Sequence, residues 1–238
     1  MPILFSNEDV DVIANDMIRP QFSIKFRIRA EELINSIIKT RIIKGISITD
    51  NYHRLNLNVS TIQTFSQFQK EQFNLNGTKK IKTHLVCKMM LDLSSQLKYL
   101  LETYKKTFLG YSPNNLIVID GNKFIYLSNE HLTDIVENNM VLVSYPFMSN
   151  DFFLSPEFFM IKELPHYLNY KTSYFSLACL VIYVLLSEDD FYNEYIRIKS
   201  TENILCYLNS HPIKDTRVFC VLSRCLTELP EDRNIIYI

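Results

Sequence analysis

Residues 110–130 read GYSPNNLIVIDGNKFIYLSNE. Two short runs of β-branched and aromatic residues, Leu116 to Ile119 and Phe124 to Leu127, flank Asp120-Gly121-Asn122. Strand-forming runs on either side of an Asp-Gly turn predict a β-hairpin, because glycine supplies the left-handed backbone that a tight turn needs. A polar stretch ending in Pro113-Asn114-Asn115 precedes the hairpin, and Ser128-Asn129-Glu130 follows it. What these two flanks hold decides both the fold and the chemistry.

Upstream, Val86, Met89, Met90, Leu93, Leu97, Leu100, Leu101 and Tyr104 recur at three- and four-residue steps. That spacing predicts a long helix from His84 with a wide apolar face. Downstream, His131 to Phe153 reads as a long irregular segment broken at Pro146. Ser155-Pro156-Glu157 then opens a short helix, with proline where a helix start tolerates it. Tyr174 to Leu186 is apolar nearly all round, which predicts a buried helix too short to span a bilayer. Two amphipathic helices, about Glu202 to Leu208 and Asp215 to Thr227, close the chain.

The first eighty-odd residues are less regular. Arg29 to Ile43 places Leu33, Ile34, Ile37, Ile38 and Ile42 at helical spacing, which predicts an amphipathic helix. Strand-like pieces lie at Phe22 to Ile28 and Ile46 to Ile48, while Leu55 to Val59 and Thr61 to Phe68 show no clear period. Asn76-Gly77 marks a turn, and Lys79, Lys80 and Lys82 read as a solvated linker. The expected division is therefore residues 1–83 and 84–238.

With 47% hydrophobic and 21% charged residues, the 238-residue chain has the composition of a globular protein. A net charge of −1 offers no broad positive field for nucleic acid or an anionic membrane. Five cysteines, an odd number, lack finger or ribbon spacing, so neither a disulfide framework nor a zinc site is expected. The opening MPILFSNEDVDVIAND is acidic where a secretion signal is basic, and the expected location is cytoplasmic.

The order of long helix, loop, hairpin, long loop, SPE helix start and buried helix resembles the C-terminal lobe of eukaryotic-type protein kinases. Four motifs carry the resemblance. Ser112 to Ile117 looks like the end of the catalytic loop, whose final asparagine helps hold a metal ion. Phe124 to Glu130 resembles the strand delivering the DFG triplet, and Leu154 to Glu157 the A-P-E element. Tyr174 to Ala178 is similar to the buried helix that usually reads WSLG or YSLG. Cys225-Leu226 with Pro230 to Arg233 adds a weaker fifth match. In detail, LSPEFF followed by YKTSYFSLACLVIYVLL is similar to the divergent kinase-like proteins of large DNA viruses. The fold so implied is α+β, mainly α: a helical C-lobe with a reduced or degenerate N-lobe.

Carried over residue by residue, the resemblance implies a dismantled active site. The catalytic aspartate position falls on Gly110, which has no side chain to orient or deprotonate a substrate hydroxyl. The metal-binding aspartate of DFG becomes Ser128, and a neutral hydroxyl is a poor ligand for a hard dication. Asn115 remains, leaving Asn115 and Ser128 as vestiges of a nucleotide site. No G-x-G-x-x-G occurs to cradle phosphates. Phe22-Ser23-Ile24-Lys25 only faintly echoes V-A-I-K, with Glu31 or Glu32 as partners, and the expectation is that too little chain precedes Lys25 for the usual two strands and loop. Ser173 replaces the aspartate that begins the buried helix. Glu157 and Arg233 occupy the places of the family's structural ion pair.

The implied function is that of a pseudokinase: a binding or scaffold module for a protein partner, without bound ATP or magnesium, in a host cytoplasm or virion. Two alternatives stand beside it. One is an active serine/threonine kinase whose acids have moved, with Asp120, Glu130 and Asp134 as candidates. The other is a structural virion component.

Overall fold

A computed structural model of the protein describes residues 2–16, 21–76, 81–129, 131–145, 153–185, 201–210 and 213–235. Two compact units interleave along the chain. Met1–Lys79, Lys88–Lys106 and Pro113–Leu132 form the first, and Lys80–Cys87, Thr107–Ser112 and Thr133–Ile238 form the second.

The first unit opens with β1 (Ile3–Ser6), β2 (Val10–Asp16) and β3 (Gln21–Phe26), followed by α1 (Glu31–Lys39), β4 (Ile46–Thr49) and β5 (Arg54–Asn58). These strands make an antiparallel sheet in the order β1-β2-β3-β5-β4. Side chains alternate across it as strand geometry requires. Val12, Ile24 and Leu55 stand in register and are fully buried, as are Val10, Phe26 and Leu57 on neighbouring rungs. The opposite face is polar and tied by side chains. Asn15 Nδ2 donates to Ser23 Oγ at 2.5 Å, Ser23 Oγ to Asn56 Oδ1 at 2.6 Å, and Asn56 Nδ2 to Thr49 Oγ1 at 3.3 Å. Helix α1 starts with Glu31 and Glu32, acids favoured at a helix N-terminus, and buries Leu33, Ile34 and Ile37. It stops before Arg41, whose left-handed φ of 56° cannot continue a helix.

A second sheet in this unit joins β6 (Ile62–Thr64) to the hairpin of β8 (Leu116–Ile119) and β9 (Lys123–Tyr126), in the order β6-β8-β9. Asp120 and Gly121 both take positive φ in the hairpin turn, 50° and 68°. All four residues of β8 are buried. Helix α2 (Phe65–Asn76) sets Phe68 edge-on to Phe124, ring centroids 6.1 Å apart. Helix α3 (Thr83–Tyr99) runs on into a π-helical turn, Leu100–Tyr104, which ends where Lys105 turns left-handed.

Helix α3 also closes the open edge of β9 with side chains. Asp92 Oδ2 accepts from the Phe124 N–H at 3.1 Å. Four residues on, Gln96 Oε1 accepts from the Tyr126 N–H at 3.0 Å, and its Nε2 donates to the Tyr126 carbonyl at 2.9 Å. Residues four apart share a helix face, and residues two apart on a strand share an edge, so two periodicities meet. Backbone groups buried at a sheet edge are thereby satisfied without a further strand.

The second unit's sheet takes the order β12-β11-β10-β7, built from β7 (Lys106–Phe108), β10 (Leu132–Val136), β11 (Met140–Val143) and β12 (His166–Asn169). Val141, Val143 and Leu168 form its buried centre, with Leu109, Ile135 and Phe158 against them. The described residues of this unit also form the helices α4 (Pro156–Phe159), ahead of β12, and α5 (Thr172–Leu185), α6 (Thr201–Ser210) and α7 (Arg217–Cys225) after it. All fourteen residues of α5 are buried, which is why its sequence is apolar all round. Thr216 caps α7, its Oγ1 accepting from the Phe219 N–H at 3.3 Å. Among the described residues no helix is long and apolar enough to cross a membrane.

The expectation of a mainly helical chain with a reduced N-terminal lobe is corrected by these sheets. Helix makes up 43% and strand 28%, in antiparallel sheets of five, three and four strands. The strand-like pieces at Phe22 to Ile28 and Ile46 to Ile48 correspond to β3 and β4, whereas β1, β2, β5 and β6 are short and carry Asn, Ser, Thr, Gln or acids on one face, which dilutes a two-residue period. In the fold Arg54-Leu55-Asn56-Leu57-Asn58 alternates in burial, but two leucines among two asparagines and an arginine are too few to set a period in the sequence. The segment His131 to Phe153, expected to be irregular, contains β10 and β11; Pro146 lies outside the described residues, as does Gly77. Two strands do precede Lys25, contrary to the expectation that the chain was too short for them.

Candidate functional site

In the first unit the β1–β2 connection is an Asx turn built by Asn7. Its Oδ1 accepts the N–H groups of Asp9 at 2.9 Å and Val10 at 2.8 Å, while its own N–H reaches the Val10 carbonyl at 3.0 Å. With Oδ1 so engaged, the amide Nδ2 points the other way and donates to Asn115 Oδ1 at 3.1 Å. Asn115 lies in the 3₁₀ turn Pro113–Asn115 just ahead of β8 and is buried. Its carbonyl accepts the Leu127 N–H at 2.9 Å, which brings the residues on either side of the hairpin together.

A phosphate-cradling loop works by turning free backbone N–H groups toward the anion. Here the N–H groups of Asn7, Asp9 and Val10 are spent inside the turn. The turn and the start of β2 also carry Glu8, Asp9 and Asp11, with Asp11 3.9 Å from Arg27. The side-chain oxygen of Asn115 accepts one hydrogen bond, from Asn7.

Ser128 is fully buried, and its Oγ lies 2.9 Å from His131 Nδ1. Asp120 is committed to structure. Its Oδ1 accepts from the N–H groups of Ser60 at 2.8 Å and Thr61 at 3.3 Å, and Oδ2 lies 2.6 Å from Lys123 Nζ. Burial by itself raises the Asp120 pKa, but the Lys123 hydrogen bond and then the two backbone donors outweigh it and hold the carboxyl below its ordinary value. Asp134 is on β10, in the second unit. Glu130 lies outside the described residues, as do Lys79 and Lys80. Lys25 is exposed, on the face of β3 opposite Ile24 and Phe26. The acids proposed as its partners bond elsewhere, Glu31 with Arg29 and Glu32 with Lys106 at 3.4 Å.

In the second unit Gly110 is buried just beyond β7, next to Tyr111, which exchanges main-chain hydrogen bonds with Phe153. Ser173 Oγ makes a local bond to the Tyr170 carbonyl at 2.9 Å. Glu157 and Arg233 meet: Nη1 stands 2.6 Å from Oε1, a close ion pair without the angle of an aligned hydrogen bond. Arg233 is fully buried, donating from Nε to the Thr227 carbonyl at 2.9 Å and from Nη2 to Glu228 at 3.0 Å. Its guanidinium also lies 5.0 Å from the centroid of Phe175. Burial pushes the Cys225 thiol up to about 12 and the Cys179 thiol higher still, so both behave as apolar filling beside the arginine. A pocket of about 310 Å³ in this unit is lined by Val143, Tyr145, Phe159 and Leu164 with their neighbours, and none of the site residues borders it.

Asn7 is the residue that sequence reasoning missed. An asparagine followed by Glu-Asp between two apolar stretches is an Asx-turn signal, but nothing local points to a partner 108 positions away. No family model matches this chain, and no curated protein matches it.

Proposed function

We propose that the protein is a pseudokinase: a kinase-like chain that works by binding a protein partner and does not transfer phosphate. The observation carrying this reading is the Asn7–Asn115 hydrogen bond at 3.1 Å, which ties the side-chain oxygen at the expected metal-holding position to the chain's own β1–β2 turn. Ser128 facing His131, and the N–H groups of Asn7, Asp9 and Val10 bonded inside the turn, support it from the metal and phosphate sides respectively. The buried Glu157–Arg233 pair supports a retained structural frame. A five-stranded sheet with a helix directly after β3 is consistent with the small lobe of a kinase, where β3 carries a lysine and the next helix its glutamate. Neither partner performs that role here, since Lys25 faces away and Glu32 bonds Lys106. The active-kinase alternative gains nothing from Asp120, whose carboxylate is already consumed by Lys123, Ser60 and Thr61. The expected setting is the cytoplasm, or a virion for a chain of the large-DNA-virus type.

A thermal-shift titration of the full chain with ATP and magnesium tests the proposal. A ligand at about 100 times its Kd adds about 2.7 kcal/mol to stability, an easily seen rise in Tm. The expected result is no magnesium-dependent shift. A clear shift together with phosphate transfer to a generic serine/threonine substrate overturns the reading and makes the chain an active kinase.

A further inference from the structure

Strand β4 is an outer strand of the five-stranded sheet, and among the described residues nothing pairs with its outer edge. Edge strands are usually blunted by a charge or proline within the strand, or by a bulge. Ile46-Ser47-Ile48-Thr49 is a short edge of four residues, but it carries no charge, proline or bulge, and its register against β5 runs without a shift. Just ahead of it, Lys39 at the end of α1 and Arg41 and Lys44 in the turn that follows are all exposed. No carboxylate among the described residues pairs with any of them. Residues 33 to 49 contain no acid at all, and the flanking acids are taken, Glu32 by Lys106 and Asp50 by Arg54. In the same unit Arg27, Arg29, Arg54, Lys88, Lys98, Lys106 and Lys123 each have a carboxylate partner, and Lys25, Lys70 and Lys105 stand singly without one; among the described residues the stretch 39 to 44 is where three such cations gather. Lys39 has a local reason to be where it is, since a cation suits the last turn of a helix. Arg41 and Lys44 have none.

We infer that the β4 edge together with Lys39, Arg41 and Lys44 is a docking surface for an acidic, extended segment of a protein partner. The backbone edge accepts the segment as an added strand, and the three unpaired cations select its carboxylates. The open edge is what favours a polypeptide over other anions: only a second peptide backbone offers alternating N–H and C=O groups at strand spacing. A nucleic acid or an anionic membrane would use the cations and leave the edge idle. This inference is independent of the kinase-like reading, because it uses only the first sheet and its neighbouring turn.

The probe is a short fluorescein-labelled peptide of alternating Glu and Val, followed by fluorescence anisotropy with the full chain. Binding is expected, weakening as salt rises because exposed charges are screened. The triple variant Lys39→Glu, Arg41→Glu, Lys44→Glu is expected to lose at least about tenfold in affinity. A peptide of equal charge with proline at alternate positions, which cannot pair along an edge, is expected to lose a similar factor. Far-UV circular dichroism checks that the variant folds; if it does not, Lys39→Gln, Arg41→Gln, Lys44→Gln replaces it, all three side chains being on the surface. No binding by the wild-type chain overturns the proposal and leaves the cations as guards against edge-to-edge pairing. Equal binding by the triple variant, or by the proline peptide, overturns it as well. So does tighter, charge-dependent binding of a single-stranded oligonucleotide or of phosphatidylserine vesicles, which would reassign the patch.

Discussion

Arg233 has no contact with solvent, so its donors must be met inside the protein. The carbonyls of Thr227 and Glu228, the Glu157 carboxylate and the Phe175 ring surround it. Such a pair is weak evidence of net stability, yet removing one member strands the other. Arg233→Ala and Glu157→Ala are each expected to cost about 3–5 kcal/mol, read as a fall in urea midpoint at constant slope. Lysine at 233 should rescue little, since one ammonium cannot reproduce the guanidinium fork. Midpoints that stay put in both alanine variants would remove the ion pair from any structural role. Gly110→Asp belongs to the same scale. It would bury a carboxylate without a built partner, so the expected outcome is lower stability, by about 2 kcal/mol or more, and no phosphate transfer.

Two aspartates of the first unit should titrate in opposite senses. Asp120 is held below its ordinary value, so the unfolded chain binds a proton that the folded chain does not. Its contribution is present above the unfolded value of 3.8 and is lost as pH falls through the lower folded value. Asp92 is raised, chiefly by burial, against the hydrogen bonds from Lys88 and the Phe124 N–H and the charges of Lys88 and Lys123. There the folded chain holds the extra proton, and stability falls as pH rises from 3.8 through the higher folded value. Denaturation midpoints of Asp120→Asn and Asp92→Asn across about pH 3 to 7 check both signs. Asp120→Asn should flatten the acid limb, and Asp92→Asn should flatten the decline above it. Unchanged pH profiles in both variants would dismiss these assignments.

Among the elements, β9 and α3 show how local patterns combine into something neither contains. The hairpin was legible, because β-branched runs around Asp-Gly have few other uses. The long helix was legible from its apolar period. That Asp92 and Gln96 project toward β9 was not, although their four-residue spacing is in plain view. A polar pair on an otherwise apolar helix face reads equally well as solvated. Gln96→Ala should strand the N–H and C=O of Tyr126, each costing about 1–3 kcal/mol when buried. Hydrogen exchange gives a sharper readout: the Tyr126 amide should exchange faster in Gln96→Ala, and the Phe124 amide faster in Asp92→Ala. If both amides keep their protection, some other group closes the edge.

For the whole molecule, the two units are not two consecutive stretches of chain. Residues 88–106 and 113–132 belong with the N-terminal strands, and β6 pairs with β8 through Ile62 opposite Ile119 and Thr64 opposite Ile117. A fragment of residues 84–238 therefore keeps β8 and β9 but loses β6 and the face that Phe68 covers on Phe124. It should fail to unfold cooperatively and should aggregate, as checked by thermal melting and size-exclusion chromatography. A monomeric fragment with a sharp melt would show that the C-terminal residues carry their own core.

By itself, the order of residues determined the hairpin, the long helix, the buried α5 and the closing helices, because each rests on a period or a turn confined to a few neighbouring positions. Gly110 and Ser128 likewise need no coordinates to be seen as lacking a carboxylate. Tertiary structure alone decided the five-stranded sheet, whose short half-polar strands gain their stability from cross-strand partners. It also decided the bond from Asn7 to Asn115, since a contact across 108 residues depends on how the chain closes and leaves no mark on the local sequence.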